Sequence, residues 1–370
     1  MKIAVVGLGV IGLSIAARLA RAGYDVAGFE QFELMHTQGS SHGDSRIIRL
    51  TPGEGPIYVR MAARATEAWL RWQDLAGAPL IQWTGGLMAG PAGSDFVASC
   101  AALNEGAPKG LLRGDAIYYM TRGAVAFPRE WDVCRQEDVG VVFADPVRDF
   151  LIKYGRGLGA KLHENACIET PITSRTLTVN GETQSYDAVI VAGGAWAGQL
   201  LPEFAHLFTV RRRVLGWLRP RAQMAPPPVI CCDNEVGLFG MPTPDGLYKI
   251  GMHVVGDRVE PANVREPDDE DAALLAAQAE MHLPQHDPQP VRMARCLYTM
   301  TADENFVMAQ SQHDPRILLM SCCSGHGFKY APIYGSISKR WFEGTGAEEL
   351  EAFSLDQRIK GATALGASPQ

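Results

Sequence analysis

The chain has 370 residues, 46% hydrophobic and 20% charged, with a formal net charge of −7 and a pI near 5.8. That length can bury a large core and divide into two domains. The acidic balance, without a Lys/Arg block, excludes a nucleic-acid footprint, and no apolar run is long enough to span a bilayer.

No charged n-region precedes the first strand, and the eight cysteines form no C-x-x-C pair. A cytoplasmic chain without a metal site is therefore expected. Cys231-Cys232 and Cys322-Cys323 are adjacent, as buried reduced thiols in apolar runs often are.

In chain order, Ile3-Ala4-Val5-Val6 predicts a short strand that feeds directly into Gly7-Leu8-Gly9-Val10-Ile11-Gly12. A helix follows, with apolar spacing through Ile15, Ala16, Leu19 and Ala20, then a turn, a second strand and Glu30. In such a unit the first glycine permits a tight strand-to-helix turn. The second lets a pyrophosphate approach the backbone, and the third allows close helix–strand packing. The helix N-terminus offers N–H groups and a positive dipole end to phosphate, and Glu30 stands where a carboxylate accepts ribose hydroxyls. An adenine dinucleotide is expected here, with FAD and NAD(P) both open, although the carboxylate disfavours NADP.

A polar loop over 31–43 leads into Gly39-Ser40-Ser41-His42-Gly43-Asp44-Ser45-Arg46-Ile47-Ile48-Arg49. Its small residues and paired arginines suit phosphate and an anionic substrate, or equally a solvated surface. The spacing over 58–75 predicts an amphipathic helix. Strands are expected over 81–88 and 139–143, a short helix near 94–104, and a helix from Asp145-Pro146. Asp187-Ala188-Val189-Ile190-Val191-Ala192 reads as a buried parallel strand, and Gly193-Gly194 after it permits close backbone approach. This strand is separated from the first by inserted chain, so a discontinuous dinucleotide domain is expected.

Strands follow over 210–218, 229–232, 238–241 and 247–250, an antiparallel pattern able to roof a cofactor. The acidic run 266–271 opens a helix and reads as a solvated face. A strand over 291–300, another over 317–322 and a helix over 330–342 complete the expected order.

Taken together, 7–30, 39–49, Tyr248-Lys249-Ile250-Gly251-Met252-His253, Arg295-Cys296-Leu297-Tyr298-Thr299 with Asp303 and Phe306, and Ser324-Gly325-His326-Gly327-Phe328-Lys329 resemble the monomeric sarcosine oxidase and N-methyltryptophan oxidase group of FAD enzymes. The resemblance covers nearly the whole chain, and the region from about 84 to 147 departs from the pattern. It implies an α/β fold, with a Rossmann-like FAD-binding domain over 1–80, 140–205 and 295–358. A second, mixed or antiparallel-sheet substrate domain (α+β) is interleaved over 81–139 and 206–294, and 359–370 is expected to be a disordered tail.

By resemblance, FAD is bound covalently through Cys296. Its other contacts fall to Gly7, Gly9, Val10, Ile11, Gly12, Glu30, Ser40, Ser41, Arg46, Ile168, Gly193, Trp196, Gly325, His326, Gly327 and Lys329. Arg49 and Lys329 are the expected partners of a substrate carboxylate, and Lys249, His253 and Arg46 the catalytic set. The implied reaction oxidises a secondary, N-methyl or N-alkyl amino acid, with O2 as electron acceptor, in a monomer. A fructosyl amino acid oxidase, a dehydrogenase with another acceptor, a non-catalytic FAD-binding protein and an NAD-dependent dehydrogenase sharing only the first motif are the alternatives.

Overall fold

The computed structural model describes residues 1–51, 53–103 and 110–356; the tail expected over 359–370 lies outside them. The chain forms two compact units. The first contains Met1–His42, Asp145–Val210 and the chain from Leu297; the second contains Gly43–Ala144 and Arg211–Cys296.

The first unit is built on a six-stranded sheet in the order Val307–Gln310, Ile317–Ser321, Ala188–Val191, Lys2–Val6, Asp25–Phe29, Lys161–His163. All neighbours are parallel except Val307–Gln310, which is antiparallel. Strands Lys2–Val6 and Ala188–Val191 are direct partners, with Ile3 opposite Ala188 and Val6 opposite Val191. Their continuous apolar character reflects burial on both faces. Helix Val10–Arg21 is apolar on most faces because it is enclosed. On one side it meets helix Ala331–Phe342 so closely that a Cβ on Gly335 would stand 2.4 Å from Arg18 Cβ, and Ser14 Oγ donates to Ala331 O.

The second unit carries an eight-stranded mixed sheet in the order Arg292–Met300, Thr209–Leu218, Tyr248–Met252, Leu238–Pro242, Val229–Cys232, Gly86–Gly90, Asp132–Gln136, Leu112–Arg113. Val229–Cys232 runs parallel to Gly86–Gly90 and antiparallel to Leu238–Pro242. A three-stranded sheet places Val139–Phe143 between Ser45–Arg49 and Ile81–Trp83. The long helix Pro56–Ala76 opens on proline and ends on Gly77 in the left-handed region. It buries Tyr58, Met61, Ala62, Ala65, Ala68 and Trp69 on one face.

Three expectations need correction. The first boundary falls at 42/43 and not at 80, and the second at 144/145 and not at 139/140, because Val139–Phe143 pairs with both Ser45–Arg49 and Ile81–Trp83 and takes them all into the second unit. The strand expected over 81–88 is two strands, Ile81–Trp83 and Gly86–Gly90, interrupted where Gly85 takes φ +70°. The acidic run at 266–271 is not wholly a solvated face: Asp271 is buried and accepts from Arg212 through both carboxylate oxygens, at 2.9 and 2.6 Å. It also completes a capping box with Asp268 at the start of helix Asp269–His282.

Candidate active site

The glycine turn of the first unit has little room for anything but glycine. Gly7 has φ +85°, and a Cβ there would stand 2.6 Å from Ala192 O; one on Gly12 would stand 1.8 Å from Gly7 O. The helix that follows has no acid in its first turn and Gly9 at its N-cap. Ser41 Oγ accepts from Val10 N–H at 3.0 Å, fixing the 39–43 loop beside the helix start. Ser40 Oγ donates to Leu297 O.

Glu30 ends buried at the tip of its strand. Its two oxygens accept from Leu8 N–H (2.9 Å) and Phe32 N–H (3.2 Å), and His36 Nε2 lies 3.7 Å away. Burial alone would raise its pKa, but His36 and the Leu8 N–H outweigh that and hold the carboxyl below its usual range. A carboxylate has lone pairs for two N–H donors and for ribose hydroxyls besides. The cradle, the helix start free of acids and this ionised Glu30 fit the adenosine diphosphate part of a dinucleotide. Arg148 secures the loop after Glu30 by donating to Leu34 O and His36 O at 2.8 and 2.9 Å.

Other expected contacts of this unit fall in two places. Gly193 accepts from Trp196 N–H at 3.0 Å, and Trp196 meets Phe32 edge-on at 5.5 Å. Ile168 packs into the core with Val6, Phe29 and Val191, so its side chain serves the sheet. The stretches 297–306 and 322–330 come together. Ser324 N–H donates to Thr299 O, His326 Nε2 donates to Glu304 O at 3.0 Å, and His326 stacks on Phe306 at 4.7 Å. A Cβ on Gly327 would stand 1.7 Å from Cys322 O, and Gly325 takes φ +78°. Lys329 is buried, its ammonium 4.9 Å from the Tyr330 ring.

In the second unit, strand alternation puts Lys249 and Gly251 on one face, and His253 follows one residue past the strand end. Lys249 is 1% exposed and donates to Gly43 O (2.7 Å) and Ser45 O. Arg46 Nη1 reaches the same two carbonyls, at 3.4 and 2.8 Å. Arg49 pairs with Glu54 at 3.3 Å and lies 3.7 Å from Met88 Sδ and 4.0 Å from Cys100 Sγ. Burial pushes the Cys100 thiol up to about 12, so it stays protonated beside that guanidinium. Cys296 is buried on strand Arg292–Met300.

Sequence reasoning missed Glu54, Trp217 and Phe239. Phe239 lies over Gly251, where a Cβ would stand 2.5 Å from its ring. Trp217 stands opposite Lys249 in the sheet. A glycine between Lys249 and His253 was the available signal for a ring lying across that strand. Among the described residues no cluster of His, Cys, Asp and Glu could hold a metal ion, and no helix is long and apolar enough to cross a membrane.

Residues 2–341 match the DAO family, described as FAD dependent oxidoreductase. The chain is 30% identical to a monomeric sarcosine oxidase of Streptomyces avermitilis, with 90% of this chain and 91% of that protein covered. It is 27% identical to an N-methyl-L-tryptophan oxidase of Salmonella heidelberg, covering 95% and 98%. Its fold is that of L-proline dehydrogenase from P. horikoshii, at TM-score 0.82 and 18% identity, over 97% and 98% of the two chains.

Proposed function

Because the chain belongs to the DAO family of FAD-dependent oxidoreductases and acts on CH–NH bonds, we propose that it oxidises a secondary amino acid, N-methylated or otherwise N-alkylated. The observation that bears on the substrate's acid group is Arg49, a guanidinium paired with Glu54 and set against Met88 and Cys100, where a substrate carboxylate would share or displace the Glu54 carboxylate. FAD, when bound, supplies the two-electron acceptor, and O2 takes the electrons onward to give H2O2.

The chain's own groups divide the remaining work. Gly7, Gly9 and Gly12 with the Ile11 N–H, and the Val10 N–H once it exchanges Ser41 Oγ for phosphate, would hold the pyrophosphate, Glu30 the ribose, and Cys296 the covalent link. Arg49 is proposed as a carboxylate partner, and Lys329 as another. Arg46 and His253 line the reacting region. A secondary amine bound neutral brings its own lone pair, so no protein base is required to start the reaction.

The deciding experiment is a peroxide assay over a panel of N-alkyl amino acids. Turnover with release of H2O2 supports the reading; turnover only with an artificial electron acceptor makes the protein a dehydrogenase. Fructosyl amino acids as the sole substrates would replace the substrate class.

Two expected outcomes follow from the residue roles. After acid denaturation the flavin stays with the polypeptide, and Cys296→Ala releases it; complete release from the unaltered chain would remove the covalent link while leaving FAD binding in place.

Lys249 is proposed to serve O2. The first electron reaching O2 creates superoxide, an anion that a fixed ammonium stabilises as it forms. A rigid strand and two carbonyls hold Lys249 still enough to do this. Lys249→Met keeps the length and removes the charge. The anaerobic half-reaction with amine is expected to survive, and the reaction with O2 to slow by on the order of 100-fold, about 3 kcal/mol in barrier. Stopped-flow measurement of each half separates the roles: loss of the amine half alone would assign Lys249 to the substrate.

A further inference from the structure

Burying Lys249 takes an ammonium out of water, and its hydrogen bonds run to the carbonyls of Gly43 and Ser45. Arg46 shares those two oxygens. Two cations gathered on one pair of carbonyls repel each other, so the arrangement depends on how firmly the carbonyls are held.

The carbonyls of residues 43 and 45 meet one ammonium because the chain bends sharply between them. Gly43 takes φ +95°, Asp44 takes φ +61°, and Ser45 N–H donates back to Gly43 O at 2.7 Å. A left-handed conformation is costly for a residue with a Cβ, though aspartate tolerates it better than most. Something outside the turn must hold it.

That something is visible in Asp44's partners. Its carboxylate accepts from Trp217 Nε1–H at 2.7 Å and from Arg292, and its own carbonyl accepts from Ala144 N–H at 2.6 Å. Arg292 lies 4.6 Å from the centre of the Trp217 ring and also pairs with Asp245 at 2.9 Å. Trp217 in turn stands opposite Lys249, its ring centre 5.9 Å from the ammonium. The four side chains form a continuous path from a half-exposed arginine to a buried lysine.

We infer that Asp44 is a positioning residue: clamped by Trp217 and Arg292, it locks the 43–45 turn, and the locked turn fixes the Lys249 ammonium and the Arg46 guanidinium. The clamp's consequence for turnover rests on the role proposed above for Lys249; its effect on the position of Lys249 does not.

The test uses the holoenzyme labelled with 13C at the lysine ε carbon. The chain has eight lysines, so eight signals are expected, and Lys249→Met assigns one by its disappearance. Asp44→Gly keeps the turn sterically allowed and deletes the carboxylate. Asp44→Asn keeps an acceptor for the Trp217 N–H.

In Asp44→Gly the Lys249 signal is expected to leave its position beside the Trp217 ring and move toward the exposed lysines. The other signals stay, and Asp44→Asn retains most of the wild-type shift. The O2 half-reaction of Asp44→Gly should fall about tenfold further than its amine half-reaction. A folded Asp44→Gly variant with its Lys249 signal unmoved overturns the inference. A moved signal with an unaltered O2 rate upholds the clamp and removes the oxygen role from Lys249. Should Asp44→Gly not fold, Arg292→Ala opens the outer end of the clamp without touching the turn. An unmoved Lys249 signal in that variant overturns the inference equally.

Discussion

Asp271→Ala is expected to destabilise the protein by about 3–5 kcal/mol, the usual cost of stripping a buried ion of its partner. Arg212 is 2% exposed, and both of its terminal nitrogens donate to the Asp271 carboxylate. Its Nε and Nη2 also donate to Arg265 O and Glu266 O, so one guanidinium fastens the segment before helix Asp269–His282 as well as its first turn. Without Asp271 the cation stays where it is, desolvated and without its carboxylate.

The pH dependence has a definite sign. Burial alone would raise the Asp271 pKa, but Arg212 and the Asp268 N–H more than offset it, so the carboxyl titrates below the usual aspartate range. The stability it contributes is therefore present in full above the unfolded carboxylate range and lost as pH falls through the lower folded value. Urea unfolding of wild type and Asp271→Ala should give a constant difference near neutrality that shrinks only in strong acid. Arg212→Met combined with Asp271→Leu should recover much of the loss, since an apolar pair needs no counterion. A single-mutant cost below about 1 kcal/mol would make this an ordinary surface pair.

The second large effect concerns recognition. Arg49→Met, and separately Lys329→Met, are each expected to weaken amines that carry a carboxylate by about 2–5 kcal/mol, and amines lacking one far less. Glu54 sharpens the test for Arg49. It already occupies the guanidinium at 3.3 Å, so an incoming carboxylate must displace it or share it. Glu54→Gln removes that competition, and carboxylate-bearing substrates should then bind more tightly, with little change for amides of the same compounds. Equal losses for both kinds of substrate in Arg49→Met would end the assignment, and so would weaker binding of carboxylates in Glu54→Gln.

What the sequence disclosed and what it hid divide along physical lines. The glycine turn, the following helix and Glu30 lie within thirty residues of one another, and the close approach of Gly12 to Gly7 O is set inside the turn itself. The strand Ala188–Val191 announced itself because a parallel strand buried on both faces is apolar at every position. Partners distant in sequence left no such mark. Ser45–Arg49 belongs with Val139–Phe143, which moved a boundary from 80 to 42/43. Arg212 finds Asp271 59 positions away, and Trp217 finds Asp44 173 away. A run of acids at a helix start looks alike whether its last member faces solvent or a buried arginine.

The strand order of the first unit also bears on how the protein is made. Lys2–Val6 is synthesised before the strands it pairs with, yet its partner on one side is Ala188–Val191, which in turn needs Ile317–Ser321. At a synthesis rate of about 5–20 residues per second, roughly 10–40 s pass before the first of those partners even exists. Throughout that interval a strand of isoleucine, alanine and valine offers an open hydrogen-bonding edge to any other extended segment nearby. Its native neighbour on the other side, Asp25–Phe29, is made soon after it, so one edge can pair early while the other waits for Ala188–Val191. A chain cut short before Ile317 leaves the Ala188–Val191 strand with an apolar edge that its native partner never covers.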